Sequence, residues 1–446
     1  MRYNMKVLMI LLCKLLVFIG KLVNKGSSLP GKIVLKLYPS ILQKITLPKY
    51  IIAVTGSNGK TSTVEMIANV MAENGLNVVW NKEGSNQTEG VATLLLKNCD
   101  LHGNVVGDVV VLESDERYAR HTFKHIKPTH FAVTNLYRDQ LTRNVHPFWI
   151  YDIIKDAADL IPDAEFILNA DDPIVSLLGR GRDKVRYFAM AKNDYCTDKT
   201  DALYNDCHYC PVCGAPLGYE YFHFAHLGKF YCDTCKYSSA EPQYLVDSVD
   251  LENKRISICG QSIDLAFASR YNVYNLCTAF AVCSIVGIEH EKIASSLSSF
   301  IMKNGRVVRF KAGENEGMLI TSKHENSTSY NQSLEYVCAS GEKFTLAIIV
   351  DAISRKYYTT ETSWLWDISF EKLENSNAEK ILLCGNYAHD LASRFEMTNI
   401  DPAKVKIIPD LDEMASEIAL PSDSRLYAIT CFSDKDKLFS RVQLLN

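Results

Sequence analysis

At 446 residues, 47% apolar and 22% charged, the chain has the make-up of a soluble globular protein with room for two or three domains. Its 48 basic and 52 acidic residues leave a net charge of −4, so no global basic field points to nucleic acid as a partner. The 14 cysteines lack the regular spacing of a secreted disulfide scaffold. Four form two Cys-x-x-Cys pairs, and Cys259, Cys277, Cys283 and Cys384 lie in apolar runs, which fits a reducing cytoplasm.

Residues 1–49 open with MRYNMKVLMILLCKLLVFIGKLVNKG. The longest unbroken apolar run, VLMILLC (7–13), is far short of the ~20 residues that span a bilayer. Lys6, Lys14 and Lys21 interrupt the pattern at steps of eight and seven, and no small-residue cleavage site precedes SSLPGK. The pattern predicts an amphipathic helix with a lysine stripe and a short lead-in. Such a helix either packs on the protein or makes peripheral contact with a membrane, at the inner face of the cytoplasmic membrane for a cytoplasmic chain.

From Tyr50 short apolar runs alternate with helical stretches: IIAVTG, a helix through Met71, NVVWN, GDVVVLES, THFAVTNL, a helix through Leu160, then EFILNADD. That βαβ rhythm predicts a parallel sheet whose ligands lie at the carboxyl ends of the strands. The glycine-rich turn at 56–61, Glu113, Asn135 and Asn169 each directly follow an apolar run. Residues 50–312 are therefore expected to form a central P-loop domain.

The turn itself, VTGSNGKTST, departs from a full Walker A loop, because Val54 stands at the first glycine position and Gly56 comes two residues later. Its phosphate chemistry survives: backbone N–H groups from Gly56 to Lys60 and the following helix N-terminus suit an anion. Lys60 would reach the β- and γ-phosphates, and the Thr61 hydroxyl would ligate Mg²⁺. Gly56, Asn58, Gly59, Lys60, Thr61 and Ser62 are the candidate nucleotide contacts. VVVLESDE supplies Glu113, Asp115 and Glu116 at a strand end. Glu113 is the leading second Mg²⁺ ligand and a candidate catalytic residue beside Lys60.

Between 204 and 238 the rhythm breaks into a Cys- and Tyr-rich insertion. Cys210, Cys213, Cys232 and Cys235 follow Cys-x2-Cys-x18-Cys-x2-Cys, the spacing of a zinc ribbon. Four thiolates leave no open coordination position, so the Zn²⁺ would be structural. Cys207 and His208 are nearby spare donors, and His223 and His226 read as surface or hairpin residues. After GRVVRFKAGENEG, the runs LITSK, FTLAIIVDA, KILLCGN, VKIIPD and RLYAITC predict a second α/β unit over 313–446.

The loop TGSNGKTS, with its shortened glycine spacing, resembles that of the Mur ligase family. Glu113, NLYRDQL (135–141), NADD (169–172), YNVYNLCTAFAV (271–282) and Gly305-Arg306 agree in order. The resemblance implies a Mur-ligase-like central domain, a Rossmann-like C-terminal domain and ATP-dependent activation of a carboxylate. It adds Asn169 and Asp172 at the nucleoside and Arg306 to the nucleotide set. A carbamylated lysine of the family would fall near Lys155, and Gln140 stands where amino-acid-joining members carry a metal-binding His.

SSLPGK (27–32), NKEGSNQTEG (81–90), Arg138-Asp139-Gln140, the four-cysteine insertion and TSWLWDISFE (362–371) narrow the likeness further. They resemble the branch of that family that forms the ligase subunit of a lipid II isoglutaminyl synthase. This implies a heterodimer with a class-I-type glutaminase, bound through the C-terminal domain. Its substrate would be the D-glutamate α-carboxyl of lipid II, amidated through an acyl phosphate in peptidoglycan synthesis. Glu361, or alternatively Asp367, would complete the glutaminase's Cys-His-acid triad. Lys323 and Asn331 are what remains of the branch's Lys-Asn-Pro-x-Gly pattern. Two other readings stay open: a stand-alone amino-acid ligase, and a nucleotide-binding scaffold without amidation activity.

Overall fold

The computed structural model describes residues 2–22, 28–82, 85–140, 144, 146–266, 269–300, 307–352 and 361–445. The chain divides into two compact units. The first comprises Met1–Tyr137, Pro147–Asp201 and Asn205–Met302; the second comprises Arg138–His146, Ala202–Tyr204 and Lys303–Asn446.

In the first unit, strands β1 (Tyr50–Thr55), β2 (Val78–Trp80), β3 (Val109–Glu113), β4 (His130–Val133), β5 (Glu165–Asn169) and β6 (Val185–Met190) belong to a nine-stranded sheet. With β9 (Tyr244–Asp250), β10 (Arg255–Ile258) and β11 (Gln261–Asp264) its order is β11-β10-β9-β6-β5-β4-β1-β3-β2. All pairings from β2 to β9 are parallel, and β9, β10 and β11 close the edge as an antiparallel meander. Both faces of the sheet are covered, as a parallel sheet requires. Alternation along β1 sends Ile52 and Val54 to the face packed by helices α3 (Lys60–Glu73) and α7 (Arg270–Val286). Ile51 faces the other side with α1 (Arg2–Leu22), α2 (Leu29–Leu37) and α4 (Thr88–Lys97), and Ala53 meets α5 (Pro147–Asp159) and α6 (Pro173–Leu177) there. The N-terminal helix expected from sequence is therefore part of this unit's core, through Met9, Ile10 and Cys13.

The chain leaves β1 towards β2 and β3 on one side and returns to β4 on the other. The carboxyl end of β1 is thus a topological switch point, where doubly wound sheets bind ligands.

The second unit holds a seven-stranded sheet of order β16-β15-β14-β17-β13-β12-β18. Its strands are β12 (Val307–Ala312), β13 (Asn315–Ser322), β14 (Phe344–Ile349), β15 (Ala378–Cys384), β16 (Val405–Ile408), β17 (Arg425–Cys431) and β18 (Gln443–Leu444). β13, β17, β14, β15 and β16 run parallel, with α8 (Ser327–Cys338) packed on one face. The sequence boundary at 313 is corrected here. β12 pairs antiparallel with β13 from Val307 onward, and the last and longest segment of the second unit is Lys303–Asn446. A separate hairpin of β7 (Gly218–Phe224) and β8 (Leu227–Tyr231) lies in the insertion of the first unit.

Candidate functional site

The loop between β1 and α3 is shaped by two glycines. Gly56 has φ +139, and a Cβ there would fall 2.2 Å from Thr134 Oγ1. Gly59 has φ +82, and its Cβ would fall 1.9 Å from Asn275 Oδ1. Only glycine allows both the left-handed turns and these approaches. The end of β4 braces the loop from beneath. Ser57 N–H donates to Asn135 O (2.9 Å), Asn58 N–H to Asn135 Oδ1 (2.9 Å), and Asn135 Nδ2 to Asn58 O (3.1 Å). This corrects the expectation that every N–H from 56 to 60 faces an anion, since those of Ser57 and Asn58 hold Asn135. The first turn of α3, where helix geometry supplies no intrahelical acceptor, is suited to an anion. Ser62 lies in that turn.

Lys60 Nζ donates to Gly56 O and pairs with Glu116 Oε1 at 2.5 Å, with both side chains mostly buried. The lysine is thus folded over its own loop onto a carboxylate, which a triphosphate could replace. Beside it, Thr61 Oγ1 donates to Glu113 Oε2 (2.8 Å). Glu113 is opposite Val54 in the parallel register, so the strand pairing itself carries its carboxylate to the loop. Asn86 Nδ2 donates to Glu113 Oε1 (3.0 Å), and Asn81 brackets the Glu113 backbone, accepting from its N–H (2.8 Å) and donating to its O (3.0 Å). The two residues expected to share Mg²⁺ are therefore brought together: a hydroxyl and an oriented carboxylate are hard oxygen donors that suit a cation bridging phosphates.

NADD is put to a different use from the expected nucleoside contact. Asn169 and Asp172 are wholly buried. Asn169 Nδ2 donates to Thr134 O (3.0 Å). Asp172 caps α6, accepting from Ile174 N (2.9 Å) and Val175 N (3.1 Å), and also accepts from Leu136 N (2.8 Å). Both side chains are spent on holding the β4 and β5 ends. Asp171 accepts from Met190 N and Tyr274 Oη, each at 2.8 Å, and burial raises its pKa.

The four cysteines do converge. Their Sγ atoms all lie within 4.8 Å of one another, with Cys210–Cys235 and Cys213–Cys232 each 3.6 Å apart. Backbone N–H of Cys235 draws the Cys232 thiol down to about 7, towards the thiolate a metal needs. This donor set fits tetrahedral Zn²⁺. Of the two placements expected for His223 and His226, the structure has the hairpin, and there both are buried. His223 Nε2 stands 3.0 Å from Met190 O and 3.7 Å from Asp171 Oδ2, and His226 Nε2 is 3.5 Å from Asp172 Oδ1. Burial presses His226 towards neutrality, but Asp172 and Asp206 outweigh it and hold its pKa above the ordinary value. The hairpin is thus pinned to the turn after β5, whose Asp172 in turn holds Leu136 at the end of β4.

Within the second unit, Asp139 is buried and its carboxylate is held by Lys323 Nζ and Asn326 Nδ2 (2.8 Å). Gln140 has φ +48 and donates its N–H to Glu325 O (2.8 Å). Asn331 is structural, accepting from Ser369 N (2.8 Å). Glu361 is exposed; the Ser363 N–H donates to its Oε1 (2.8 Å) and lowers its pKa. Asp367 is largely buried and lies 3.6 Å from the Arg138 guanidinium, which also stacks over Tyr204. Lys155 is exposed and paired with Asp159 at 2.8 Å, as a solvated helix lysine. Arg306 lies outside the described residues. Asn81, Asn86 and Asn275 at the loop are not singled out by the sequence, and Glu116, one of the three carboxylates at the end of β3, is given no partnership with Lys60 there. The resembling segments 81–90 and 271–282 held the signal for the three asparagines.

Residues 54–283 match the Mur ligase middle domain, spanning the loop, Glu113, NADD and α7. The chain belongs to the Mur ligase family. Residues 324–434 match the MurT ligase C-terminal model. The chain is 28% identical to the lipid II isoglutaminyl synthase (glutamine-hydrolyzing) subunit MurT of Staphylococcus aureus, over 87% of this chain and 86% of that protein. The Streptococcus pneumoniae subunit of the same name is also 28% identical, over 93% and 92%. The pseudomurein peptide ligase type C of Methanothermus fervidus shares the fold, with a TM-score of 0.71 and 21% identity over 90% of this chain and 79% of that one.

Proposed function

We infer that this Mur ligase family member is the ligase subunit of a two-subunit amidating enzyme of peptidoglycan synthesis, working in the cytoplasm. An oxygen of the D-glutamate α-carboxylate in the lipid II stem peptide attacks the γ-phosphorus of ATP, giving an acyl phosphate and ADP. Ammonia released from glutamine by a glutaminase partner adds to the carbonyl carbon. Phosphate leaves, a proton is lost, and D-isoglutamine remains. A carboxylate is a poor electrophile, and phosphorylation supplies the leaving group that ammonia needs.

The chain's own residues fit the first step. Lys60 exchanges Glu116 for the transferring phosphoryl oxygens, and the first turn of α3 holds the phosphates. Mg²⁺, held between Thr61 and Glu113, would neutralise the charge that gathers on the β- and γ-phosphates. Zn²⁺ on the four cysteines would be structural. Glu361 is favoured over Asp367 as the acid offered to the glutaminase, because it is exposed while Asp367 faces Arg138.

What carries the reading is the extent of the MurT likeness, which runs through both units and covers 93% of the chain. The test is to purify the chain with a triad-type glutaminase and supply ATP, Mg²⁺, glutamine and lipid II. Mass spectrometry should find the small mass decrease of replacing a carboxyl OH with NH₂ in the stem peptide. A stem peptide of unchanged mass, or one enlarged by an amino acid, overturns it.

A further inference from the structure

The N-terminal helix α1 buries only one side. Met9, Ile10 and Cys13 pack into the core with α2 and α4. On the side away from them, Phe18 is 64% exposed, Leu8 and Leu15 are each 55%, and Met5, Leu11 and Ile19 are also exposed. At about 100° per residue these six fall in a single arc of the helix surface. Lys14 and Lys21, seven residues apart, lie along one edge of that arc. The neighbouring α2 adds exposed Leu29 and Leu37 with exposed Lys32 and Lys36.

The charge along this part of the chain is one-signed. From Met1 to Val64 the chain carries ten basic residues and no acidic one, although its overall charge is −4. No helix among the described residues is long and apolar enough to cross a membrane. An apolar stripe edged by lysines on a surface helix suits the boundary between headgroups and acyl chains of an anionic bilayer. A second copy of this face would bring like charges together, which disfavours self-pairing.

We propose that α1 lies in the plane of an anionic membrane surface, inserting Leu8, Leu11, Leu15 and Phe18 while Lys14 and Lys21 meet lipid phosphates. This does not depend on the amidation reading, because it concerns where the chain sits and not what it catalyses.

The test is flotation of the full chain with phosphatidylcholine vesicles made with and without phosphatidylglycerol. Binding is expected only with the anionic lipid, weakening as salt rises. Leu15→Glu/Phe18→Glu should lower the vesicle-bound fraction by about tenfold, and Lys14→Glu/Lys21→Glu should do likewise. Leu15, Phe18 and Lys21 are exposed and Lys14 is half-buried at the edge of the packed face, so far-UV circular dichroism and the thermal melt should stay close to the parent. If Leu15→Glu/Phe18→Glu unfolds the chain, Leu8→Ser/Leu11→Ser replaces it. No binding to anionic vesicles, or equal binding by the stripe variants, overturns the proposal. So does a stripe variant that changes the chain's sedimentation coefficient without lipid, since the face would then be a self-association surface.

Discussion

Thr61 Oγ1 donates a 2.8 Å hydrogen bond to Glu113 Oε2, tying the first turn of α3 to the last residue of β3. A helix start suited to an anion thus sits beside a carboxylate suited to a cation, and neither residue is near the other in sequence. The parallel pairing of β1 with β3 creates the neighbourhood, and Asn86 then fixes the carboxylate by donating to Glu113 Oε1 at 3.0 Å.

That orienting bond is testable by itself. Asn86→Ala should raise the Mg²⁺ concentration for half-maximal ATP turnover by about tenfold or more, the usual effect of losing a partner behind a metal ligand. Excess Mg²⁺ should restore the rate, whereas Glu113→Ala should stay inactive at any Mg²⁺ concentration. A Mg²⁺ titration of ADP release decides it. An unchanged midpoint in Asn86→Ala removes Asn86 from the role.

Metal should be found on the four cysteines. Elemental analysis of the purified chain is expected to give about one zinc per chain. Cys232→Ser should lose it and lower stability by about 4 kcal/mol, the scale at which loss of a structural metal acts. The hairpin would loosen first, since His223 and His226 anchor it to Asp171 and Asp172. A metal-free parent with an unchanged melt in Cys232→Ser would make the cluster a set of plain thiols.

The parts legible in the sequence are those whose signal is local. Gly56 to Thr61 is a strand, a turn and a helix start in one short run, and the cysteine spacing is written within 26 residues, Cys210 to Cys235. Glu113 was found because a carboxylate ending an apolar run marks the mouth of a parallel sheet. Asn135 is marked by its place after an apolar run, but Asn86 and Asn275 are harder, because a neutral amide carries no period and no charge pattern. What makes Asn275 matter is its approach to Gly59, between residues 216 positions apart. The burial of Asp172 and His226 is hidden in the sequence for a related reason. A polar turn and a hairpin both read as surface until the packing of one on the other is known, and here each buries its partner. The boundary near 303 is hidden in the sequence because β12 and β13 form a local hairpin, and only the distant pairings of β12 with β18 and of β13 with β17 tie it to the second unit.

Glu361 offers a separation of two activities. In complex with the glutaminase, Glu361→Ala should cut glutamine hydrolysis by about 100-fold or more, as loss of a group orienting a catalytic base does. ATP turnover supported by free ammonium should change little. Glu361→Asp should recover part of the glutaminase rate. Asp367→Asn should match the parent, because Asp367 is already engaged by Arg138. Undiminished glutamine hydrolysis in Glu361→Ala would remove Glu361 from the triad.

His226 gives the pH prediction. Its Nε2 stands 3.5 Å from Asp172 Oδ1 inside the protein, and the nearby carboxylates raise its pKa in spite of burial. The folded state therefore holds the proton more tightly than the unfolded chain, whose imidazole titrates at about 6.5. The stabilisation is fully present below that value and is lost as pH rises through the higher folded pKa. His226→Gln, which cannot be protonated, should lack this part. With zinc in excess, the parent should melt above His226→Gln by a wider margin at acidic pH than at alkaline pH. The cysteine cluster is common to both proteins, so its own titration largely cancels in the difference. A margin that stays constant or grows with pH would mean that His226 is neutral in the fold and held by packing alone.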